Sequence, residues 1–89
     1  MRTACAKQEA LNRLSYIEGH LRGIRKMVQE DQYCVDVLKQ SYAVRCAIEK
    51  FETVLLRSHL THCLPEGIRQ GKSDELADEL EELFALSRR

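Results

Sequence analysis

Residues 34–63 read CVDVLKQSYAVRCAIEKFETVLLRSHLTHC, thirty positions with neither glycine nor proline. Leu38, Ile48, Leu55 and Leu56 fall on one helical stripe together with Cys34, His59 and Cys63, and Val37, Val44, Ala47, Phe51 and Val54 widen that apolar face on one side. The stretch therefore predicts a single helix over about 33–62, long for a globular domain and in need of partners along its length. At about 100° per residue, Cys34, His59 and Cys63 lie within about 40° of one another around this helix. At 1.5 Å rise per residue, however, Cys34 and His59 stand roughly 37 Å apart along it. One chain cannot gather the three side chains, but two antiparallel copies can.

Working outward, an N-terminal helix is predicted over about 7–30, with Leu11, Leu14, Ile17, Leu21, Ile24 and Val28 spaced three or four apart. Gly19 and Gly23 interrupt it at a cost of about 1 kcal/mol each relative to Ala, and their spacing suggests either close approach of another helix, the favoured reading, or a tolerated weakness. The polar run Glu30-Asp31-Gln32 marks a break, with Asp31 as N-cap of the long helix. Leu64-Pro65-Glu66-Gly67 is expected to end that helix, and Gly71-Lys72 to end a short connector. Ser73 reads as the N-cap of a third helix over about 74–86, with Glu75 following in its first turn. Leu76, Leu80, Leu83 and Phe84 share one side of it, and its acidic first turns suit the helix dipole. No internal repeat or long linker divides the chain, so residues 1–89 are expected to form one all-α domain of three helices.

The composition is 44% hydrophobic and 31% charged, which suits a folded, water-exposed chain. With 89 residues, no Trp and five aromatics, a large private core is out of reach, and oligomerisation is expected from size alone. The formal net charge of zero conceals an asymmetry. Residues 1–72 hold twelve Lys/Arg against eight Asp/Glu, whereas residues 73–89 hold two arginines against six acids. A basic body of this kind attracts anionic polymers. No apolar run approaches a membrane span and MRTACAKQEA has no signal-peptide core, so a cytoplasmic location is expected. Thiols stay reduced there, and cysteines at 5, 34, 46 and 63 point to metal or redox chemistry rather than a disulfide framework.

His59 and Cys63 are spaced i, i+4, which places two metal-ligating groups on one helix face. Two thiolates and one imidazole form a soft-to-borderline donor set suited to Cu(I) or Zn(II). Cys34 from an antiparallel copy completes the triplet, and symmetry then creates two identical sites per dimer. Three ligands favour Cu(I), because structural zinc takes four and catalytic zinc keeps acid–base machinery nearby. Cys5 or His62 would supply a fourth ligand and favour zinc; His62 points about 60° from His59 and reads as solvent-facing. Cys46, about 120° from Cys34, reads as a small packing residue.

Across nearly the whole chain, Leu11-Asn12-Arg13-Leu14, Glu18-Gly19-His20-Leu21-Arg22-Gly23-Ile24, Tyr33-Cys34-Val35-Asp36-Val37-Leu38-Lys39-Gln40 and His59-Leu60-x-x-Cys63 resemble the CsoR/RcnR family of small helical transcriptional repressors. The triplet at 34, 59 and 63 resembles the copper-sensing branch. The nickel/cobalt branch has His for the second Cys, the formaldehyde-responsive branch lacks that Cys, and the persulfide-sensing branch lacks the His. The resemblance implies an antiparallel helical dimer, two of which assemble into a tetramer. It further implies that the metal-free protein binds double-stranded operator DNA and that Cu(I) at Cys34, His59 and Cys63 releases it, derepressing copper-efflux genes. Tyr33 and Glu79 match positions linked to the His ligand. Arg13 and Lys50 match positions on the DNA-facing surface, to which Arg22, Arg25 and Lys26 would add phosphate contacts.

No nucleophile–base–orienter set is present, which argues against an enzyme. A copper buffer would explain the Cys/His/Cys triplet but not the basic first two helices. A persulfide or electrophile sensor using Cys34 and Cys63, or a sensor of Zn or Ni, is the alternative reading.

Overall fold

The computed structural model describes residues 6–88. Every regular element among them is helical. Helix α1 spans Lys7–Gln29 and α2 spans Cys34–Ser58; a π-helical turn, His59–Cys63, leads without a break into α3, Leu64–Arg69; α4 spans Ser73–Ser87. Because α2, the π turn and α3 are continuous, the chain forms three rods in an elongated body of 55 × 29 × 14 Å. Helices α1 and α2 pack as an antiparallel hairpin, and α4 folds back from α3.

Two hinges make these reversals, and both are Schellman motifs. At the end of α1, Asp31 N–H donates to Val28 O (3.1 Å) and Gln32 N–H to Met27 O (3.0 Å). Asp31 takes φ +56°, the left-handed region that short polar side chains tolerate best after glycine. It therefore closes α1 rather than capping α2, whose N-cap is Tyr33. At the end of α3, Gly71 N–H donates to Ile68 O (3.0 Å) and Lys72 N–H to Gly67 O (2.9 Å), with Gly71 at φ +75°. Lys72 is the N-cap of α4 and no side chain caps the helix, so the expected Ser73 cap does not form. Ser73 is already inside the first turn.

Pro65 does not end the long helix as expected. It sits in the first turn of α3, where the rod has widened into the π turn. A proline inside a regular α-helix strikes the carbonyl four residues back and leaves it without a donor. Lengthening the preceding turn removes that conflict, so the rod continues to Arg69.

Among the described residues only Ala6, Ala10, Ile17, Val44, Gly67 and Leu76 are buried. Of the apolar stripe of α1, Leu11, Leu21 and Val28 remain exposed, as do Leu38, Ile48 and Leu56 of α2 and Leu83, Phe84 and Leu86 of α4. Two long rods bury one seam between them and leave the remaining apolar surface of each uncovered. Apolar stripes left exposed in this way are the kind of surface that a partner would cover.

Gly19 and Gly23 are not crossed by another helix within the protomer. A Cβ on Gly23 would meet nothing within 4 Å, and one on Gly19 only the tip of Arg22 at 3.7 Å. The glycine that permits close approach is Gly67, which is buried and whose Cβ would lie 2.7 Å from Leu76 Cδ1. Leu76 is itself 5% exposed, so it has little room to retreat. Gly67→Ala is expected to destabilise the α3–α4 packing by about 1–3 kcal/mol, measured by urea unfolding.

Candidate metal centre and nucleic-acid interface

His59 opens the π turn and Cys63 closes it, with Leu64 N–H donating to His59 O five residues back. His59 lies in an open groove of about 820 Å³ between α2 and α4, walled by Leu55, Leu56, Leu83 and Leu86. Its side chain is only 13% exposed, and its Nε2 stands 4.0 Å from Glu79 Oε2 on α4. Glu79 is 49% exposed, so this pairing is modest in strength. At 4.0 Å there is no hydrogen bond; the carboxylate faces Nε2 and leaves Nδ1 on the other edge of the ring.

Cys34 is exposed at the first residue of α2, next to exposed Tyr33, while Cys63 is half-buried at the far end of the same rod. Among the described residues of one chain, no three His, Cys, Asp or Glu side chains converge to hold a metal ion. The helix is the reason: its 25-residue α2 segment alone is about 37 Å long, and it separates Cys34 and Tyr33 from His59 and Cys63. Thus one protomer assembles the His59–Glu79 pair beside Cys63, and presents Tyr33 and Cys34 elsewhere. Cys5 lies outside the described residues, and His62 is exposed as expected.

The basic residues divide into two groups. Arg13 of α1 and Lys50 of α2 line one cleft of about 480 Å³, together with Glu9, Tyr16 and Cys46. Arg13 Nη2 pairs with Glu9 Oε1 at 3.5 Å, an exposed i, i+4 contact that anchors the guanidinium loosely. Arg22, Arg25 and Lys26 are exposed farther along α1, at least about 120° around the helix from Arg13. The fold does not bring these three to the Arg13–Lys50 cleft.

Two features escaped the sequence reading. A second opening of about 660 Å³ shares Arg13, Cys46 and Lys50 and runs on to Arg57 and His62. Arg57 follows Lys50 by seven residues, two helical turns, so the period of α2 would have placed it on that face. Cys46, expected to pack, is instead exposed on this basic face. The α1–α2 seam is too narrow to bury every small residue near it. A further link, His20 Nε2 to Gln40 Oε1 at 2.8 Å, ties the two helices together, with Tyr16 edge-on to the imidazole at 5.8 Å.

Residues 6–86 match the family described as metal-sensitive transcriptional repressors. The chain belongs to that family. It is similar to the copper-sensing transcriptional repressor CsoR of Bacillus subtilis, 41% identical over 88% of this chain and 77% of the relative. It is also similar to the CsoR of Mycobacterium ulcerans, 43% identical over 83% of this chain and 63% of the relative. The fold superimposes on the crystal structure of the copper-sensing repressor CsoR with Cu(I) from Geobacillus thermodenitrificans, with a TM-score of 0.90, 32% identity and coverage of 100% of this chain and 93% of that one. The nickel-responsive transcriptional regulator InrS gives a TM-score of 0.72 at 41% identity, covering 91% of this chain and 89% of that one. The two likenesses agree on the fold and differ in the metal named, so the donor set of this chain has to separate them.

Proposed function

We propose that this chain is a Cu(I)-responsive repressor whose metal-free form holds operator DNA and whose copper-loaded form releases it, turning on copper-efflux genes. The observation that carries the reading is the donor arrangement: Cys63 and His59 share one π turn, His59 faces Glu79, and Cys34 lies at the opposite end of the same rod. Two thiolates and an imidazole match a soft monovalent ion better than Ni(II), which prefers more nitrogen and oxygen donors. The residues therefore fit copper. Cys34 of one protomer with His59 and Cys63 of an antiparallel partner would hold the ion, and the thiolates would supply most of the affinity. Supporting this is the uncovered apolar surface of α1 and α2, which a second copy would bury. Tyr33, adjacent to Cys34, would then arrive at the partner's His59 along with it, and the tetramer would be a pair of such dimers.

The link to DNA runs through α4. Glu79 faces His59 Nε2 at 4.0 Å, so a shift of the ring on binding through its other nitrogen would tighten or break that contact and reach α4. For DNA we assign Arg13 and Lys50 as phosphate contacts on the cleft they share, with Arg22, Arg25 and Lys26 serving a separate face. On this reading the chain works in the cytoplasm by binding alone and is not an enzyme. No helix among the described residues is long and apolar enough to cross a membrane, which is consistent with that location.

The decisive test is an anaerobic operator-binding assay on purified protein with Cu(I), Zn(II), Ni(II) and a persulfide donor as separate arms. Cu(I) is expected to release DNA at one ion per protomer, with sub-micromolar chelator-buffered copper sufficient. Release by persulfide alone would replace copper with thiol chemistry, and release by Ni(II) alone would replace the metal. In the same assay Arg13→Ala should weaken binding to all sequences alike and reduce the slope of log K against log salt by about 0.9, the value of one phosphate contact. Copper affinity should not change.

A further inference from the structure

π turns are rare and recur where function needs a helix to depart from its period. This one begins at His59 and ends at Cys63, and two side chains at its edges oppose a return to α geometry. Pro65 has no N–H to give to Thr61 O, and in an uninterrupted α-helix its ring would strike that carbonyl. Thr61 Oγ1 donates to Arg57 O at 2.8 Å; Thr53 Oγ1 makes the same bond to Glu49 O within regular α2, so such a back-bond is compatible with α geometry but weakens and bends the helix locally. The proline leaves Thr61 O without an α donor on one side of the turn, and the hydroxyl competes for the Arg57 carbonyl on the other.

We propose that Thr61 and Pro65 are positioning residues: they hold the π turn, and the π turn sets the rotation of α3 and α4 that brings Glu79 to His59. A π turn spends about one residue more than an α turn, so everything after it is rotated by about 100° relative to an unbroken helix. Helix α3 is joined to α4 by the close Gly67–Leu76 packing and the Schellman turn at Gly71, so α4 inherits that rotation. Without it, the buried Gly67 face would turn away from its present side and Glu79 would leave His59. The chemical consequence rests on the copper reading above; the structural claim does not.

The test uses Thr61→Val/Pro65→Ala, which keeps every proposed metal ligand, with Thr61→Ser as a control that retains the hydroxyl. In a crystal structure of the metal-free double variant, Leu64 N–H should bond to Leu60 O instead of His59 O, and Glu79 should lie well beyond 4 Å from His59. Its operator affinity without metal and its Cu(I) affinity should stay near wild type, while the copper-induced loss of operator affinity shrinks by about fivefold or more. Thr61→Ser should match wild type in all of these. A double variant that keeps the His59–Leu64 bond and the His59–Glu79 approach would overturn the proposal, whatever copper does. Should the double variant not fold, Pro65→Ala alone carries the same structural readout and the same two outcomes. If wild-type protein ignores copper, the copper reading fails while the crystallographic comparison still decides this one.

Discussion

Mixing Cys34→Ser protomers with Cys63→Ser protomers is expected to restore copper binding that neither variant shows alone. Each homodimer would lack one thiolate in both of its sites. In a mixed dimer, the Cys34 of the Cys63→Ser chain meets the intact His59 and Cys63 of the other, and one complete site forms. With random exchange, half the dimers are mixed and each carries one site of two, so capacity should recover to about a quarter of wild type. The reason is length: the α2 rod keeps Cys34 away from Cys63 in one chain. Anaerobic Cu(I) titration against a chelator, on subunits unfolded together and refolded, measures it. No recovery in a mixture shown to contain mixed dimers would sink the two-chain site.

His59→Ala should separate binding from response. Two thiolates remain to hold the ion, so Cu(I) affinity is expected to fall far less than in either cysteine variant. On the proposed reading the imidazole connects the site to α4, since its Nε2 faces Glu79. Its loss should leave the copper-loaded variant bound to operator DNA almost as tightly as the metal-free one. A coupling of about 1–3 kcal/mol, a 5–150-fold change in operator affinity, is the amount at stake. Fluorescence anisotropy with and without Cu(I) reads it directly. Glu79→Gln should move in the same direction by less, since that carboxylate is half exposed and its contact is long. Full release of His59→Ala by copper would mean that the signal takes another route.

The candidate site was legible in part. The i, i+4 spacing of His59 and Cys63 and the common stripe of Cys34 are properties of helical period, and an uninterrupted apolar pattern was enough to read them. Glu79 came from resemblance, and its place against His59 depends on a reversal that no local pattern encodes. Arg13 and Lys50 were matched as separate positions; that they share a cleft is a consequence of how α1 packs on α2. The basic residues Arg22, Arg25 and Lys26 looked equivalent to them as charges, and the helix turned them to another side. Asp31 and Ser73 were misplaced by the same error. Both carry good capping side chains, yet the Schellman turns at Asp31 and Gly71 moved the helix starts to Cys34, with Tyr33 as cap, and to Ser73, with Lys72 as cap.

By itself the sequence determined an all-α chain with one rod too long to be satisfied alone, because an unbroken periodic run specifies a helix through local hydrogen bonds and side-chain spacing. Only the tertiary structure decided that the rod passes through Pro65, that His59 and Cys63 are the two ends of a π turn, and that within the protomer Gly67 rather than Gly19 or Gly23 is the point of close approach. Those features arise where backbone donors, a proline ring and a buried Leu76 compete for the same space. Such competition has no periodic signature, so it becomes visible only once the elements are packed.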